Sequence, residues 1–211
     1  MKLILLGGPG SGKGTQAELL SKALSIPSIS TGDIFRKAID SGTEVGKVVG
    51  EYINAGKLVP DEIVLETVYQ RLACEDTANG YILDGFPRTT IQAEAIDTFD
   101  ECDYVVSLEV PDEVIEKRLT GRRVCSGCGK TYHILYDEAA VVGICEVCGK
   151  ELVTRKDDNP TTVRQRLEIY HKQAQPLKDH YRKKGKLREI DGSGDAKTIR
   201  DLILKELGAE I

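Results

Sequence analysis

The 211-residue sequence contains no tryptophan and only three phenylalanines. Proteins that bind single-stranded nucleic acids commonly stack the bases on aromatic side chains, so a platform of that kind is not expected. Positive charge is also scarce, because 29 lysines and arginines stand against 34 acidic residues, a net charge of −5. An acidic chain does not attract the phosphate backbone non-specifically. We therefore expect no nucleic-acid partner, and any anion site must be local.

Long apolar segments are absent from the sequence as well. The first apolar run, Leu3–Leu6, has four residues. A membrane-spanning helix needs about 20 apolar residues, and the apolar part of a secretory signal has about 7 to 15. We therefore expect no membrane partner and a cytoplasmic location. Cytoplasmic thiols stay reduced, so the six cysteines are not expected to form structural disulfides.

Short apolar runs alternate with helical patterns along the chain. The runs cover residues 2–7, 81–85, 104–110 and a more charged one, KLREID, at 186–191, and residues with helical spacing follow each of them. This alternation predicts an α/β fold, with a parallel sheet covered by helices on both faces.

Two segments, residues 30–59 and 121–158, interrupt this alternation. The first is helical by its pattern and punctuated by glycines, and the second contains four of the cysteines. We expect both to be insertions on the carboxyl-end face of the sheet. Residues 1–29, 60–120 and 159–211 then form the core domain.

A glycine-rich segment, GGPGSGKGTQ at residues 7–16, separates the first predicted strand from the first predicted helix. The spacing Gly7-x4-Gly12-Lys13 matches the P-loop, whose backbone N–H groups and lysine hold phosphate oxygens. Serine or threonine normally follows the lysine and binds magnesium, but here Gly14 does, and Thr15 comes one residue later. A turn that binds nothing is the alternative. The strand–loop–helix context favours a triphosphate site at the start of the helix.

The segment LDGFPR, residues 83–88, places Asp84 at the carboxyl end of a predicted buried strand. Mg2+ in proteins keeps several waters and takes one or two carboxylates, so Asp84 is suited to organise a magnesium ion beside a triphosphate. An N-cap of the following helix is the alternative role. The P-loop upstream favours the magnesium role.

Four cysteines have the spacing C-x2-C-x16-C-x2-C; they are Cys125, Cys128, Cys145 and Cys148. Such spacing brings four thiolates around one metal ion and leaves no position for water, which predicts a structural site. Zinc is favoured over an iron–sulfur cluster and over paired disulfides. The metal is expected to order the segment around it and to take no part in chemistry.

Arginines are frequent at segment junctions and inside the two insertions; they are Arg36, Arg88, Arg118, Arg122, Arg123, Arg155, Arg164 and Arg166. Guanidinium groups bind phosphate oxygens in pairs and remain charged when buried, so a converging set suits a transferred phosphoryl group. A solvated charge or an ordinary ion pair is the alternative for Arg118, Arg123 and Arg164.

Taken in order, these motifs resemble the adenylate kinase family along essentially the whole chain. The matching strings are GGPGSGKGTQ, STGDIFR, GKLVPDE, LDGFPRT, GRR and TRKDDN…TVRQRL. The resemblance implies a P-loop kinase with a five-stranded parallel sheet flanked by helices. It also implies that residues 30–59 form an AMP-binding helical insertion, and that residues 121–158 form the zinc-containing lid of the long-lid members.

The resemblance also assigns roles to individual residues. The residues implied for ATP are Gly10, Ser11, Gly12, Lys13, Gly14, Thr15, Arg122, Thr131, Tyr132 and Gly194. Those implied for AMP are Thr31, Arg36, Lys57, Leu58, Val59, Gly85, Phe86, Pro87, Arg88, Gln92, Arg155 and Arg166. The residues expected to act in catalysis are Lys13, Asp84, Arg88, Arg122, Arg155 and Arg166.

The reaction that the resemblance implies is reversible phosphoryl transfer, ATP plus AMP giving two ADP, with Mg2+ bound to ATP. The partners expected of the chain, acting as a monomer, are ATP, AMP and ADP. Two alternatives stay open at this point. One is a kinase for another nucleoside monophosphate, because base selection depends on few contacts. The other is a nucleic-acid-binding ATPase that carries a zinc ribbon, which the acidic charge and the scarcity of aromatic residues oppose.

Overall fold

The computed structural model describes residues 1–209. Its strands are β1 (Lys2–Gly7), β2 (Ser28–Ser30), β3 (Tyr81–Asp84), β4 (Tyr104–Glu109), β5 (Arg122–Cys125), β6 (Thr131–His133), β7 (Leu152–Val153) and β8 (Leu187–Asp191). Its α-helices are α1 (Lys13–Leu24), α2 (Thr31–Asp40), α3 (Glu44–Asn54), α4 (Asp61–Leu72), α5 (Thr90–Phe99), α6 (Asp112–Gly121), α7 (Glu138–Val142), α8 (Pro160–Lys183) and α9 (Ala196–Glu206). Two 3-10 turns cover Glu75–Thr77 and Lys156–Asp158.

A five-stranded parallel sheet in the order β2-β3-β1-β4-β8 forms the centre of the molecule. The predicted α/β class and parallel sheet are therefore confirmed. Four of the five strands follow the apolar runs of the sequence. The fifth, β2, is only three residues long, too short for an apolar pattern to reveal it.

Both faces of the sheet are covered by helices, because alternate residues of each strand point to opposite sides. In β1, Leu3 and Leu5 pack into one hydrophobic cluster with residues of α1 and α9. Ile4 and Leu6 pack into a second cluster, on the other face, with residues of α4, α5 and α8. The rigid sheet between these two cores carries the loops at its edge.

The segment from Arg122 to Val153 forms a separate antiparallel sheet of three short strands, in the order β6-β5-β7. Its buried apolar residues are few: Cys125, Tyr132, Ala140, Cys145 and Leu152. Several of its apolar side chains are exposed instead, Leu135 and Val141 among them. So small a cluster is below the size at which a hydrophobic core holds a segment by itself.

Within residues 1–209, no helix combines the length and the apolar character needed to cross a membrane.

Candidate active site

The loop between β1 and α1 curls around the ammonium group of Lys13. Gly7, Gly10 and Gly12 have φ values of +146°, +77° and +99°, which residues with a side chain rarely adopt. The Lys13 Nζ donates to the carbonyl oxygens of Gly7 and Gly8, at 2.7 Å each. The loop therefore has the concave shape of a phosphate-binding nest, with the lysine charge at its mouth.

Charged side chains from other elements lie near Lys13 and change its pKa. Removal of the half-buried ammonium from water lowers the pKa of Lys13 to about 8. The carboxylate of Asp84 opposes this shift, while Arg88 and Arg166 add to it. Residues distant in sequence thus converge on the P-loop lysine.

Asp84 lies beside the first turn of α1. Its Oδ2 is 3.5 Å from the position that a Cβ on Gly14 would occupy. A serine or threonine at position 14 would therefore stand directly against this carboxylate. Burial raises the pKa of Asp84, and the charge of Lys13 opposes that rise. The carboxylate thus faces the place where the usual P-loop hydroxyl is missing.

A cavity of about 610 Å³, partly open to solvent, lies next to this loop. It is lined by Thr31, Gly32, Phe35, Arg36, Ile53, Gly56, Lys57, Leu58, Val59, Val64, Gly85, Arg88, Gln92, Asp157 and Arg166. The lining combines an apolar wall with cations and one buried amide, as expected for a site that holds a small anionic ligand. Thr31 Oγ1 and Arg88 Nε both donate to the Gly85 carbonyl, at 3.1 and 2.8 Å, and fix one side of the cavity.

Two further arginines are held by buried carboxylates near the end of the long insertion. Arg122 donates two hydrogen bonds to Asp158, whose side chain is fully buried. Arg166 donates to Asp157 Oδ2 at 2.8 Å. The two acids come from the 3-10 turn 156–158 and fix guanidinium groups of β5 and α8 in one place.

The guanidinium groups repel one another across the site. Desolvation and the charge of Arg166 lower the pKa of Arg88 to about 10. Desolvation, Arg36 and Arg122 lower the pKa of Arg155 to about 10 as well. Arg155 also has a buried Nε without a hydrogen-bond partner among the described residues, and its nearest carboxylate oxygen, on Asp33, is 3.9 Å away. All these arginines stay charged at neutral pH, so the site carries positive charge that an anion would relieve.

Arg118 contacts backbone carbonyls of two loops that lie far from it in the sequence. Its guanidinium donates to the carbonyl of Ser11 in the P-loop at 3.2 Å, and to that of Gly192 at 2.8 Å. It also reaches the carbonyls of Ser193 and Gly194, at 3.1 and 3.5 Å. Arg118 is therefore neither a solvated charge nor an ordinary ion pair, the alternatives that the sequence left open for it. Nothing in the sequence signals this role, because the loop it holds is about 75 residues away in the chain.

Some predicted site residues point away from the cleft. Phe86 is fully buried in the main core, and the adjacent Pro87 is buried as well. Tyr132 is buried in the lid, with its hydroxyl 3.2 Å from Cys145 Sγ, while Thr131 is exposed. A nucleotide contact by Tyr132 stays a prediction, and its main chain is the part left free to make one.

The four cysteines of the C-x2-C pairs come together at one end of the lid sheet. Their sulfur atoms all lie within 4.8 Å of one another, with 3.3 Å between Cys125 and Cys148 and 3.6 Å between Cys128 and Cys145. Four thiolates around a zinc ion at about 2.3 Å are separated by about 3.8 Å from one another. The backbone N–H groups of Cys128 and Gly127 donate to Cys125 Sγ and lower the pKa of that thiol. This group can hold a tetrahedral metal ion.

The class of protein is defined by three features of this site. They are a P-loop that follows a parallel strand, the lined cavity beside it, and a cluster of arginines held by carboxylates. The protein is a phosphotransferase of the P-loop kinase type. The family model described as adenylate kinase matches residues 5–186.

Relatives extend the similarity over the whole chain. The chain is 52% identical to an adenylate kinase of Caldicellulosiruptor bescii over 215 aligned positions that cover 100% of both proteins. It is 49% identical to that of Lachnospira eligens, covering 99% of this chain and 100% of the relative. It is 48% identical to that of Moorella thermoacetica, covering 100% and 99%. The chain belongs to the adenylate kinase family and is an enzyme that acts on adenine nucleotides.

The contacts of Arg118 predict a stabilising role. Arg118→Met keeps the apolar stem of the side chain but leaves the carbonyls of Ser11 and Gly192 without this donor. We expect the free energy of unfolding to fall by about 1–3 kcal/mol, measured by urea denaturation.

Arg123→Met is the matched control for this variant. Among residues 1–209, the Arg123 guanidinium donates only to nearby carbonyls, those of Thr120 and Arg122, at 3.3 and 2.8 Å. Its loss is expected to change the free energy of unfolding by less than about 1 kcal/mol. Equal losses in the two variants would contradict the special role of Arg118.

Proposed function

We propose that this enzyme transfers the γ-phosphoryl group of ATP directly to AMP, with the two nucleotides facing each other in one cleft. The observation that carries the proposal is the closeness of two anion sites. Arg88 and Arg166 line the cavity beside the P-loop, and both lower the pKa of Lys13. Phosphates bound at these two places would lie next to each other, as direct transfer requires.

The P-loop side of the cleft is proposed to hold ATP. Its phosphates would lie on the backbone N–H groups of residues 10–15, with Lys13 at their oxygens, and Arg122 would close over them from the lid. Gly194 lies in the loop that Arg118 attaches to the P-loop. That loop would offer its backbone to adenine.

The lined cavity is proposed to hold AMP. Arg36 and Arg88 would bind its phosphate, and Gln92 would bind its base. Thr31, Gly85 and the stretch 57–59 would form the walls around it, consistent with their places in the cavity lining. Phe86 and Pro87 would support this wall from the core.

The chemical step needs no protein nucleophile. An oxygen of the AMP phosphate attacks the γ-phosphorus, the bond from that phosphorus to the bridging oxygen breaks, and ADP leaves with the electron pair. Negative charge spreads over the three transferred oxygens in the transition state. Arg88, Arg155 and Arg166 are proposed to stabilise this charge. Arg88 is held by the Gly85 carbonyl and Arg166 by the Asp157 carboxylate, while the Nε of Arg155 has no partner among the described residues and is available to a phosphate oxygen.

Asp84 and Thr15 are proposed to hold the hydrated Mg2+ of MgATP. The carboxylate of Asp84 lies against Gly14, where no side chain competes with it, and Thr15 is exposed at the start of α1. When bound, Mg2+ neutralises charge between the phosphates.

Residues 30–59 and 121–158 are proposed to act as two movable covers over a core of residues 1–29, 60–120 and 159–211. Water is a competing phosphoryl acceptor, so both covers must exclude it before transfer. Both nucleotide sites are built from one chain, which supports a monomer.

Zinc is proposed as the ion of the four-cysteine group. All four positions would be taken by sulfur, so the ion would have no place for a substrate. Its role is to hold a lid whose hydrophobic cluster is small. We propose a cytoplasmic location, where the thiols stay reduced for the metal.

The proposal is tested by measuring ADP formation from ATP with AMP, CMP, UMP or GMP as the second substrate. We expect ADP to form at a useful rate only with AMP. A preference for another monophosphate would overturn the assignment of the acceptor. ATP hydrolysis that is stimulated by nucleic acid, without AMP-dependent ADP formation, would overturn the reaction itself.

The low pKa of Lys13 predicts an alkaline limit on ATP capture. The charged ammonium binds phosphate, and its pKa of about 8 in the free enzyme is below the usual value. The charge is present below that pH and is lost as the pH rises through it. We expect kcat/KM for ATP to fall above pH 8, and kcat to fall only at higher pH, because bound phosphate stabilises the ammonium.

The matched variant is Lys13→Arg, whose guanidinium remains charged throughout this range. It should be much less active, because a planar fork replaces a compact charge. The alkaline fall in kcat/KM should be absent from its profile. The same fall in both proteins would show that another group causes it.

Loss of the metal is expected to destabilise the lid more than it slows the reaction. Cys148→Ser should bind less than one equivalent of zinc and melt roughly 5 °C or more below the wild type, the shift that about 2 kcal/mol produces in a chain of this size. Cys74→Ser removes an exposed cysteine outside the cluster and should change neither quantity. Equal melting temperatures of the zinc-bound and zinc-free wild type would refute the structural role.

A further inference from the structure

The side-chain amide of Gln92 is held between two partners of opposite polarity. Its Oε1 accepts from the backbone N–H of Arg88 at 2.7 Å, and its Nε2 donates to Asp61 Oδ1 at 2.6 Å. A backbone N–H can only donate and an ionised carboxylate can only accept. A turned amide would set donor against donor and acceptor against acceptor. Because Gln92 is only 1% exposed, water cannot relieve such a mismatch.

Asp61 is outside the cavity lining and acts on it through Gln92. It is the first residue of α4, two positions after Val59. Thr89 is the N-cap of α5; its hydroxyl lies 3.3 and 3.4 Å from the two Asp61 oxygens and accepts from the backbone N–H of Gln92 at 3.2 Å. Asp61 therefore joins the start of α4 to the start of α5, at the point where Gln92 enters the cavity.

The fixed amide has two hydrogen-bonding positions left. Of its two N–H groups one is used by Asp61, and of its two oxygen lone pairs one is used by Arg88. A base bound against this amide would meet one donor and one acceptor, in an order that the two partners of Gln92 set.

That order distinguishes two classes of purine. A 6-aminopurine has a donating amino group next to a ring nitrogen that accepts, and a glutamine amide pairs with both. A 6-oxopurine has an accepting oxygen in place of the amino group, so a fixed amide meets it with the wrong polarity. A turned amide would match that oxygen and the N–H beside it. Rejection of 6-oxopurines therefore depends on keeping the amide from turning.

We propose that Asp61 is a specificity-positioning residue, which locks the Gln92 amide and so makes the acceptor site select 6-aminopurine over 6-oxopurine monophosphates. The inference rests on the proposed function, because it requires that Gln92 contacts the base of the acceptor. It adds a residue that lies outside the cavity lining and acts through Gln92.

The test compares kcat/KM for AMP and for inosine monophosphate at saturating MgATP. Asp61→Asn has the same shape, but its amide can donate as well as accept. A turned Gln92 then meets one mismatch, at the backbone N–H of Arg88, in place of two. We expect the AMP-to-IMP ratio to fall roughly tenfold or more, the value of one mismatched buried hydrogen bond. The change should lie in KM for the two acceptors, with kcat for AMP nearly unchanged. Asp61→Ser, whose hydroxyl can also donate or accept, should lower the ratio in the same way.

Glu62→Gln is the matched control. Glu62 is the next residue of α4, is exposed, and carries the same charge in the same first turn of the helix. Its substitution should leave the ratio at the wild-type value. A fall of equal size in this variant would show that helix charge, and not the contact with Gln92, sets the selectivity.

A second comparison uses the Gln92→Ala background, where no amide remains to be turned. There Asp61→Asn should leave the ratio unchanged, since it acts through Gln92. The inference is overturned if Asp61→Asn and Asp61→Ser keep the wild-type ratio, or if Asp61→Asn lowers it equally without Gln92. Either result, with wild-type preference for AMP intact, leaves the proposed function standing. A wild type without that preference would remove both.

Discussion

Several positively charged side chains lie close together in the cleft, where they repel one another. Neighbouring carboxylates and backbone carbonyls hold them in these positions. Burial lowers the pKa values of Lys13, Arg88 and Arg166, and repulsion from neighbouring cations lowers each of them further. Buried carboxylates on the 3-10 turn 156–158 offset part of this repulsion. The remainder is relieved when phosphates bind. In the proposed transfer, cations that are positioned in advance would need little reorganisation as charge develops.

The order of the sheet is what brings these groups together. β1 and β3 are neighbours in parallel register, with Leu5 opposite Asp84. The P-loop that follows β1 and the turn that follows β3 therefore leave the sheet side by side. The lysine of one and the carboxylate and Arg88 of the other come to lie around one space. A different strand order would separate the same motifs.

The two insertions differ in what stabilises them. The segment from α2 to α3 packs on the main core through Phe35 and Val49, so its position follows from ordinary hydrophobic burial. The lid has only a small cluster around Cys125 and Cys145, and a metal ion bound by its four cysteines, as proposed above, would supply the cohesion that this core lacks. Each segment contributes a charged side chain to the cleft: Arg36 from the first and Arg122 from the second.

The fold class and the chemistry of the site were predictable from the sequence because they depend on local patterns. Apolar runs predicted β1, β3, β4 and β8, glycine spacing predicted the P-loop, and cysteine spacing predicted the metal-binding group. The three-residue strand β2 escaped this reasoning, because so short a segment has no periodicity of its own. So did the antiparallel strands of the lid.

The sequence by itself determined the kinds of groups that the site contains: a nest of backbone amides, a lysine, arginines and four thiols. Tertiary structure decided what each group touches. It placed Arg118 on the carbonyls of a distant loop and turned Tyr132 toward Cys145. It also set Asp61 against the Gln92 amide. Spacing in sequence is informative only for residues that share one element or turn, whereas these contacts join elements whose separation in the chain sets no distance in space.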